Sequence, residues 1–200
     1  MIRLFVGLVT TLAAASAVAG EFNAALNVGD PAPAWNDLPG ADGKRHALAD
    51  LKDKKVVVVV FTCNSCPVAR DYEERIIALA KRRPQEVAVV AINVNRVPED
   101  SLAKMEERAR AKEFPYPYVL DETQKIGRDY GASATPDFFV LSPQRKIVYM
   151  GAMDDASDPA LVKTNFVERA VDSALAGTTP ATTETFPRGC GIRYARQRTK

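Results

Sequence analysis

The chain has 200 residues, of which 46% are hydrophobic and 26% charged, and its formal net charge is +2. That composition excludes a disordered chain, and the length suits one compact domain better than two. A charge so close to neutral gives no electrostatic reason to expect nucleic acid or an anionic membrane surface as the main partner.

In chain order, Arg3 precedes an uncharged run over 4–19 that is rich in Leu, Val and Ala and closes on Ala17-Val18-Ala19. This is the layout of a cleavable export signal, with the mature chain starting near Gly20 and a periplasmic or secreted location. The alternative is an uncleaved anchor, the one membrane contact the sequence suggests, although the run is slightly short for a bilayer span. The stretch 26–35, with Gly29, Pro31 and Pro33, reads as an irregular lead-in, and Ala41-Asp42-Gly43-Lys44 as a tight turn. Six consecutive β-branched or aromatic residues, Val56-Val57-Val58-Val59-Val60-Phe61, predict a strand covered on both faces. Tyr72, Ile76, Leu79 and Ala80 recur at helical spacing and predict a helix over 69–83; 86–93 reads as a second buried strand.

Pro98 followed by Glu99 and Asp100 predicts a helix start, since Pro fits a first turn and acids suit the positive helix end. That helix is expected to reach about Lys112. A short strand over 118–120 and a helix over 122–130, closed by Gly131, come next. Strands over 138–141 and 146–150 around a Ser142-Pro143-Gln144-Arg145 turn make a hairpin. A last helix over 158–175 ends at Gly177, and the pattern stops after Pro180. Strands alternating with helices and closing on a hairpin predict an α/β domain with a mixed sheet. The expected division is a signal over 1–19, one domain over 20–177 and a basic tail over 178–200.

The chemistry-bearing motif is Cys63-Asn64-Ser65-Cys66, placed after a buried strand and before a helix. Free N–H groups at a helix start stabilise a thiolate, the species that attacks a disulfide. A second thiol three residues on can then release the mixed disulfide. Cys63 is expected to be exposed and to attack; Cys66, one turn into the helix, is expected to be shielded and to resolve. A structural staple is a weaker reading, because so short a loop removes little entropy from the unfolded chain. Zinc needs four ligands in a closed site, and only Cys190 and His46 could add to this pair.

The run Phe61-Thr62-Cys63-Asn64-Ser65-Cys66-Pro67-Val68, with Thr135-Pro136 downstream and Gly189-Cys190-Gly191-Ile192 near the end, resembles the redoxin branch of the thioredoxin-like superfamily, often labelled alkyl hydroperoxide reductase/thiol-specific antioxidant. The resemblance extends over roughly 28–192. It implies a thioredoxin-like fold with helices on both faces of the sheet, and a thiol:disulfide oxidoreductase that needs no bound cofactor. Its partners would be protein thiols or disulfides and an upstream redox protein. It also implies a cis bond before Pro136, which would set a tight turn beside the Cys pair and leave Thr135 free to pair with an extended substrate. Thr62 stands where thioredoxins have Trp, and the strand before the pair lacks their buried acid. Two other activities stay open: a thiol peroxidase, and a copper-binding module using soft thiolates and His46.

Cys190 is the odd thiol. It is flanked by Gly189 and Gly191 and by Arg188 and Arg193, which favour a thiolate. It reads either as a third redox thiol, reaching the Cys pair or linking two chains, or as a small buried anchor that docks the tail onto the domain. The N-terminal reading has its own test: residues 1–25 fused to a reporter are expected to be exported and cut near Ala19, and a reporter retained in the cytosol would defeat it.

Overall fold

The structure is a computed structural model that describes residues 20–196; the expected export signal and residues 197–200 lie outside them. The chain forms a short hairpin, β1 (Leu38–Pro39) and β2 (Arg45–His46), then β3 (Val56–Phe61), helices α1 (Pro67–Asp71) and α2 (Glu73–Arg82), and β4 (Val87–Asn93). It continues through α3 (Leu102–Ala111), β5 (Tyr118–Leu120), α4 (Lys125–Asp129), β6 (Ala134–Thr135) and β7 (Asp137–Leu141). The last elements are β8 (Ile147–Gly151), α5 (Phe166–Ala176) and β9 (Cys190–Gly191).

The central sheet has the order β5-β4-β3-β7-β8. β3 runs parallel to β4 and antiparallel to β7, so the sheet is mixed. All six residues of β3 are fully buried, as an unbroken β-branched run requires. Val56, Val58 and Val60 join Ile76 of α2, Met105 of α3 and Val171 of α5 in one core layer. Val57, Val59 and Phe61 join Trp35 of the lead-in, Ile126 of α4 and Tyr130 in the other. Helices therefore cover both faces, as the thioredoxin-like arrangement demands. Among the described residues, no helix is long and apolar enough to cross a membrane.

Several helices differ from the sequence expectation, each for a local reason. The helix expected over 69–83 breaks into α1 and α2 at Tyr72, whose side chain is buried against the core. The helix expected from Pro98 is interrupted: 98–100 form a single tight turn, Ser101 is extended (φ −63°, ψ 152°), and α3 starts at Leu102. Asp100 is turned inward rather than onto a helix end. α4 starts at Lys125, because the Asp121 carboxylate accepts the N–H groups of Ile126 (2.7 Å) and Gly127 (3.1 Å). α5 starts only at Phe166, capped by Asn165 Oδ1, which accepts the Glu168 N–H at 3.3 Å.

The segment after Gly177, expected as a tail, returns across the domain. Met150 N–H donates to Thr183 O and Thr185 N–H to Met150 O, each at 3.1 Å. The approach is so close that a Cβ at Gly151 would meet Thr185 O at 2.1 Å. Further on, β9 pairs antiparallel with β6. Ile192 N–H then donates to Ser133 O (2.9 Å) and the Tyr194 hydroxyl to Ala132 O (2.8 Å).

One carboxyl is conspicuous inside the sheet. Asp137 opens β7 in register with Phe61, is 3% exposed, and accepts the Ser133 N–H at 3.1 Å. Burial pushes its carboxyl up to about 7, against backbone N–H groups that pull it down. The folded chain keeps a proton here that the unfolded chain releases near pH 4. Stability from this group is therefore full below about pH 4, falls as pH rises to about 7, and is level above. Asp137→Asn is expected to flatten that slope and to raise stability at pH 8 by up to ~4 kcal/mol, the worth of three pKa units. Denaturant unfolding of both proteins at pH 5 and pH 8 measures it; an unchanged pH slope in the variant would refute the assignment.

Candidate active site at the end of the central strand

β3 ends at Phe61, and Thr62 N–H extends its pairing to Ile92 O at 3.0 Å. The chain then leaves the sheet as the Cys63-Asn64-Ser65-Cys66 loop at the carboxyl end of the strand, where α/β sheets gather their chemistry. Pro67 is the first residue of α1, a position that needs no N–H. The helix therefore starts after the Cys pair. Cys66 is its N-cap, with Sγ accepting the Ala69 N–H at 3.3 Å, and is not one turn inside as the spacing suggested.

Asn64 and Ser65 give their N–H groups to Asp100 instead of to a helix. Asp100 Oδ1 accepts Asn64 N–H (2.6 Å) and Ser65 N–H (3.1 Å), and Oδ2 accepts the Ser65 hydroxyl at 2.6 Å. Asn64 is further pinned by Glu99 O, which accepts its amide at 2.9 Å, and by the Tyr118 hydroxyl, which donates to its Oδ1 at 3.1 Å. Asp100 is buried, so this clamp works in a poorly screened environment. Sequence reading missed Asp100 as a site residue, because nothing in an acid after Pro98 distinguishes a helix-start residue from one turned to a distant loop. Asp137 left a clearer trace: it is an ionisable residue heading a run of buried apolar ones.

The Thr135–Pro136 bond is cis. Thr135 touches both cysteines: its Oγ1 lies 3.4 Å from Cys63 Sγ, and its carbonyl accepts the Cys66 thiol at 3.1 Å. Ser65 Oγ is 3.6 Å from Cys63 Sγ. The expectation that Cys63 is exposed is overturned: Cys63 is 3% and Cys66 2% exposed, and both are free thiols. The returning C-terminal segment pairs with Thr135 beside the two cysteines. Cys190 is exposed and stands opposite Thr135 in the β6–β9 pairing. An open cleft of about 620 Å³ is lined by Ser65, Cys66, Asn95, Arg96, Cys190 and Arg193.

The neighbouring Cys66 sulfur raises Cys63, with burial adding to it, while Cys63 in turn lowers Cys66. Sharing the remaining proton eases the first ionisation and opposes the second, and both ionisations belong to the pair. The Asp100 charge adds to the resistance on Cys63, while the Thr135 and Ser65 hydroxyls oppose it. Cys63 is accordingly one half of a proton-sharing dyad and not an isolated acidic thiol. His46 sits elsewhere, on β2 with Asp42 Oδ1 at 2.9 Å from its Nε2, beside the β5 edge of the sheet. Among the described residues, no group of three or more His, Cys, Asp and Glu side chains is placed to hold a metal ion.

The family model described as AhpC/TSA family matches residues 28–150. Thiol-disulfide oxidoreductase ResA of Bacillus subtilis (strain 168) is 26% identical over 111 residues, covering 56% of this chain and 60% of that protein, so the match spans less than two thirds of the relative. Among solved structures, a hypothetical protein of Sinorhizobium meliloti 1021 is 34% identical with a TM-score of 0.79, covering 86% of this chain and 97% of that one. The thioredoxin domain of a thiol-disulfide oxidoreductase from Bacteroides vulgatus is 21% identical with a TM-score of 0.52, over 61% of this chain and 86% of that one, a likeness of fold. A Cys pair at the end of a central strand, Thr135-Pro136 facing it, and a family match over more than half the chain agree, and the chain belongs to the AhpC/TSA family with a thioredoxin-like fold.

Proposed function

We propose that the protein is an extracytoplasmic thiol:disulfide oxidoreductase working through Cys63 and Cys66. The observation that carries this is the Thr135 bridge, in which one residue beside the cis proline contacts both sulfurs. Cys63 attacks a substrate disulfide, with the Thr135 hydroxyl, 3.4 Å from its sulfur, placed to donate to its thiolate. Cys66, whose proton is held on Thr135 O, then displaces the substrate and closes the Cys63–Cys66 disulfide. Electrons pass through the dithiol itself, and a protein thiol partner restores it. The ResA likeness supports the reaction type, and the N-terminal sequence supports the compartment. The copper reading needs His46 beside the Cys pair, and among the described residues the two are not grouped.

Cys63→Ser is expected to abolish reduction of insulin disulfides, whereas Cys66→Ser should accumulate a stable mixed disulfide on Cys63. Peptide mapping of the adduct checks the roles; an adduct on Cys66 of a Cys63→Ser protein, with none on Cys63, reverses them. Asp100→Ala leaves three donors of the loop without their acceptor, and each buried loss costs about 1–3 kcal/mol. Turnover is expected to fall by roughly tenfold as the loop loosens. Removing the adjacent negative charge also shifts the ionisation of Cys63 to lower pH, read from the ultraviolet absorbance of the thiolate. An unchanged titration would show that Asp100 is not electrostatically coupled to the pair.

A further inference from the structure

We propose that Cys190 is the thiol through which the buried Cys63–Cys66 pair is recycled: held in the substrate strand position on Thr135, it takes the disulfide onto Cys66–Cys190 and presents it at the surface. This rests on the reading of the pair as a disulfide-exchange site.

The case is geometric. A substrate of this site would lie as an extended strand on Thr135, the residue that contacts both sulfurs. That position is filled by the protein's own chain, with Thr135 paired to Cys190 and Ala134 to Gly191. The fit depends on Gly189, where an added Cβ would meet Thr135 O at 1.9 Å and the Thr135 carbonyl carbon at 2.4 Å. The segment is fastened on the far side too. Gln124 Nε2 donates to Arg193 O (3.1 Å) and Ala195 N–H to Gln124 Oε1 (2.8 Å), while the Arg128 guanidinium lies over the Tyr194 ring at 4.4 Å. Cys66 and Cys190 line the same cleft. The Cys190 thiol is raised chiefly by the Cys66 sulfur, in keeping with their place on one cleft. Exposure supplies the reason for a third thiol: Cys63 and Cys66 are 3% and 2% exposed, and Cys190 is open to solvent. Little of either residue of the pair faces solvent, whereas Cys190 lies within a partner protein's reach.

The steps balance without an added oxidant. Starting from the Cys63–Cys66 disulfide left by substrate reduction, the Cys190 thiolate attacks Cys66 Sγ. The Cys66–Cys190 bond forms, the Cys63–Cys66 bond breaks, and Cys63 leaves as a thiolate that takes up the proton Cys190 gave to solvent. No electrons enter or leave. One thiol of a partner dithiol protein then attacks the exposed Cys190 sulfur and releases Cys66 as thiolate. The partner's second thiol closes its own disulfide and frees Cys190. The partner is oxidised by two electrons, and all three cysteines end reduced.

Three proteins test it. Cys63→Ser, treated with a stoichiometric amount of diamide, is expected to lose two hydrogens and to show a Cys66–Cys190 peptide pair as a monomer; two free thiols, or a disulfide only between chains, would overturn the proposal. Gly189→Ala in the Cys63→Ser background, which pushes the segment off Thr135 but keeps Cys190, should lower that yield several-fold; an undiminished yield would refute delivery by strand pairing. Cys190→Ser should reduce insulin normally in a single turnover by prereduced protein, while recycling by reduced thioredoxin slows on the order of tenfold. Equal recycling rates overturn the relay and leave the proposed function standing. Failure of wild-type protein in the single turnover, or absence of a Cys63–Cys66 disulfide after it, would instead sink the proposed function itself.

Discussion

The site depends on where β3 stops. β3 is bonded to β4 on one side and β7 on the other, and both faces are sealed by core, so its position cannot shift without opening two ladders and two hydrophobic layers at once. Its register with β7 sets Phe61 against Asp137. The residues just beyond each end, Cys63 on one strand and Thr135–Pro136 on the other, are thereby brought together across 72 positions of sequence. No local force holds Cys63 near Thr135; the sheet does.

Given that frame, the Cys loop still needs holding, and one buried carboxylate does it. Three donors from two consecutive loop residues converge on Asp100, which comes from the turn after β4. The same charge that orders the loop disfavours a second negative charge on Cys63. Geometry and electrostatics therefore pull in opposite directions at this residue. The Thr135 hydroxyl, 3.4 Å from Cys63 Sγ, offsets part of that cost. Asp137 differs in kind. It faces no cation within its hydrogen-bond set, and burial alone keeps it near neutrality.

The C-terminal segment changes the character of the site. Without it, Thr135 would present free backbone to an incoming strand, the ordinary condition for strand addition. With it, the slot is filled by a Gly-Cys-Gly segment of the same chain, and the buried pair communicates with solvent by way of an exposed third sulfur. Because the segment is covalently attached, its local concentration at the slot is high, and a foreign strand must compete with it.

Sequence alone determined the parts whose cause is local. The unbroken apolar run of β3 announces a strand buried on both faces, the alternation of strands and helices announces the α/β class, and Cys63-Asn64-Ser65-Cys66 after that strand announces dithiol chemistry. Helix boundaries were less legible, because Asp121, Asn165 and Asp100 choose between capping a helix and bonding elsewhere according to what lies opposite them. Only the tertiary structure decided that Asp100 clamps the Cys loop, that Cys66 and not Cys63 caps the helix, that Asp137 is sealed from water, and that Cys190 lies beside Cys66. The placements of Asp100, Asp137 and Cys190 join residues tens of positions apart and are set by sheet register and close packing, information that neither periodicity nor spacing along a chain carries.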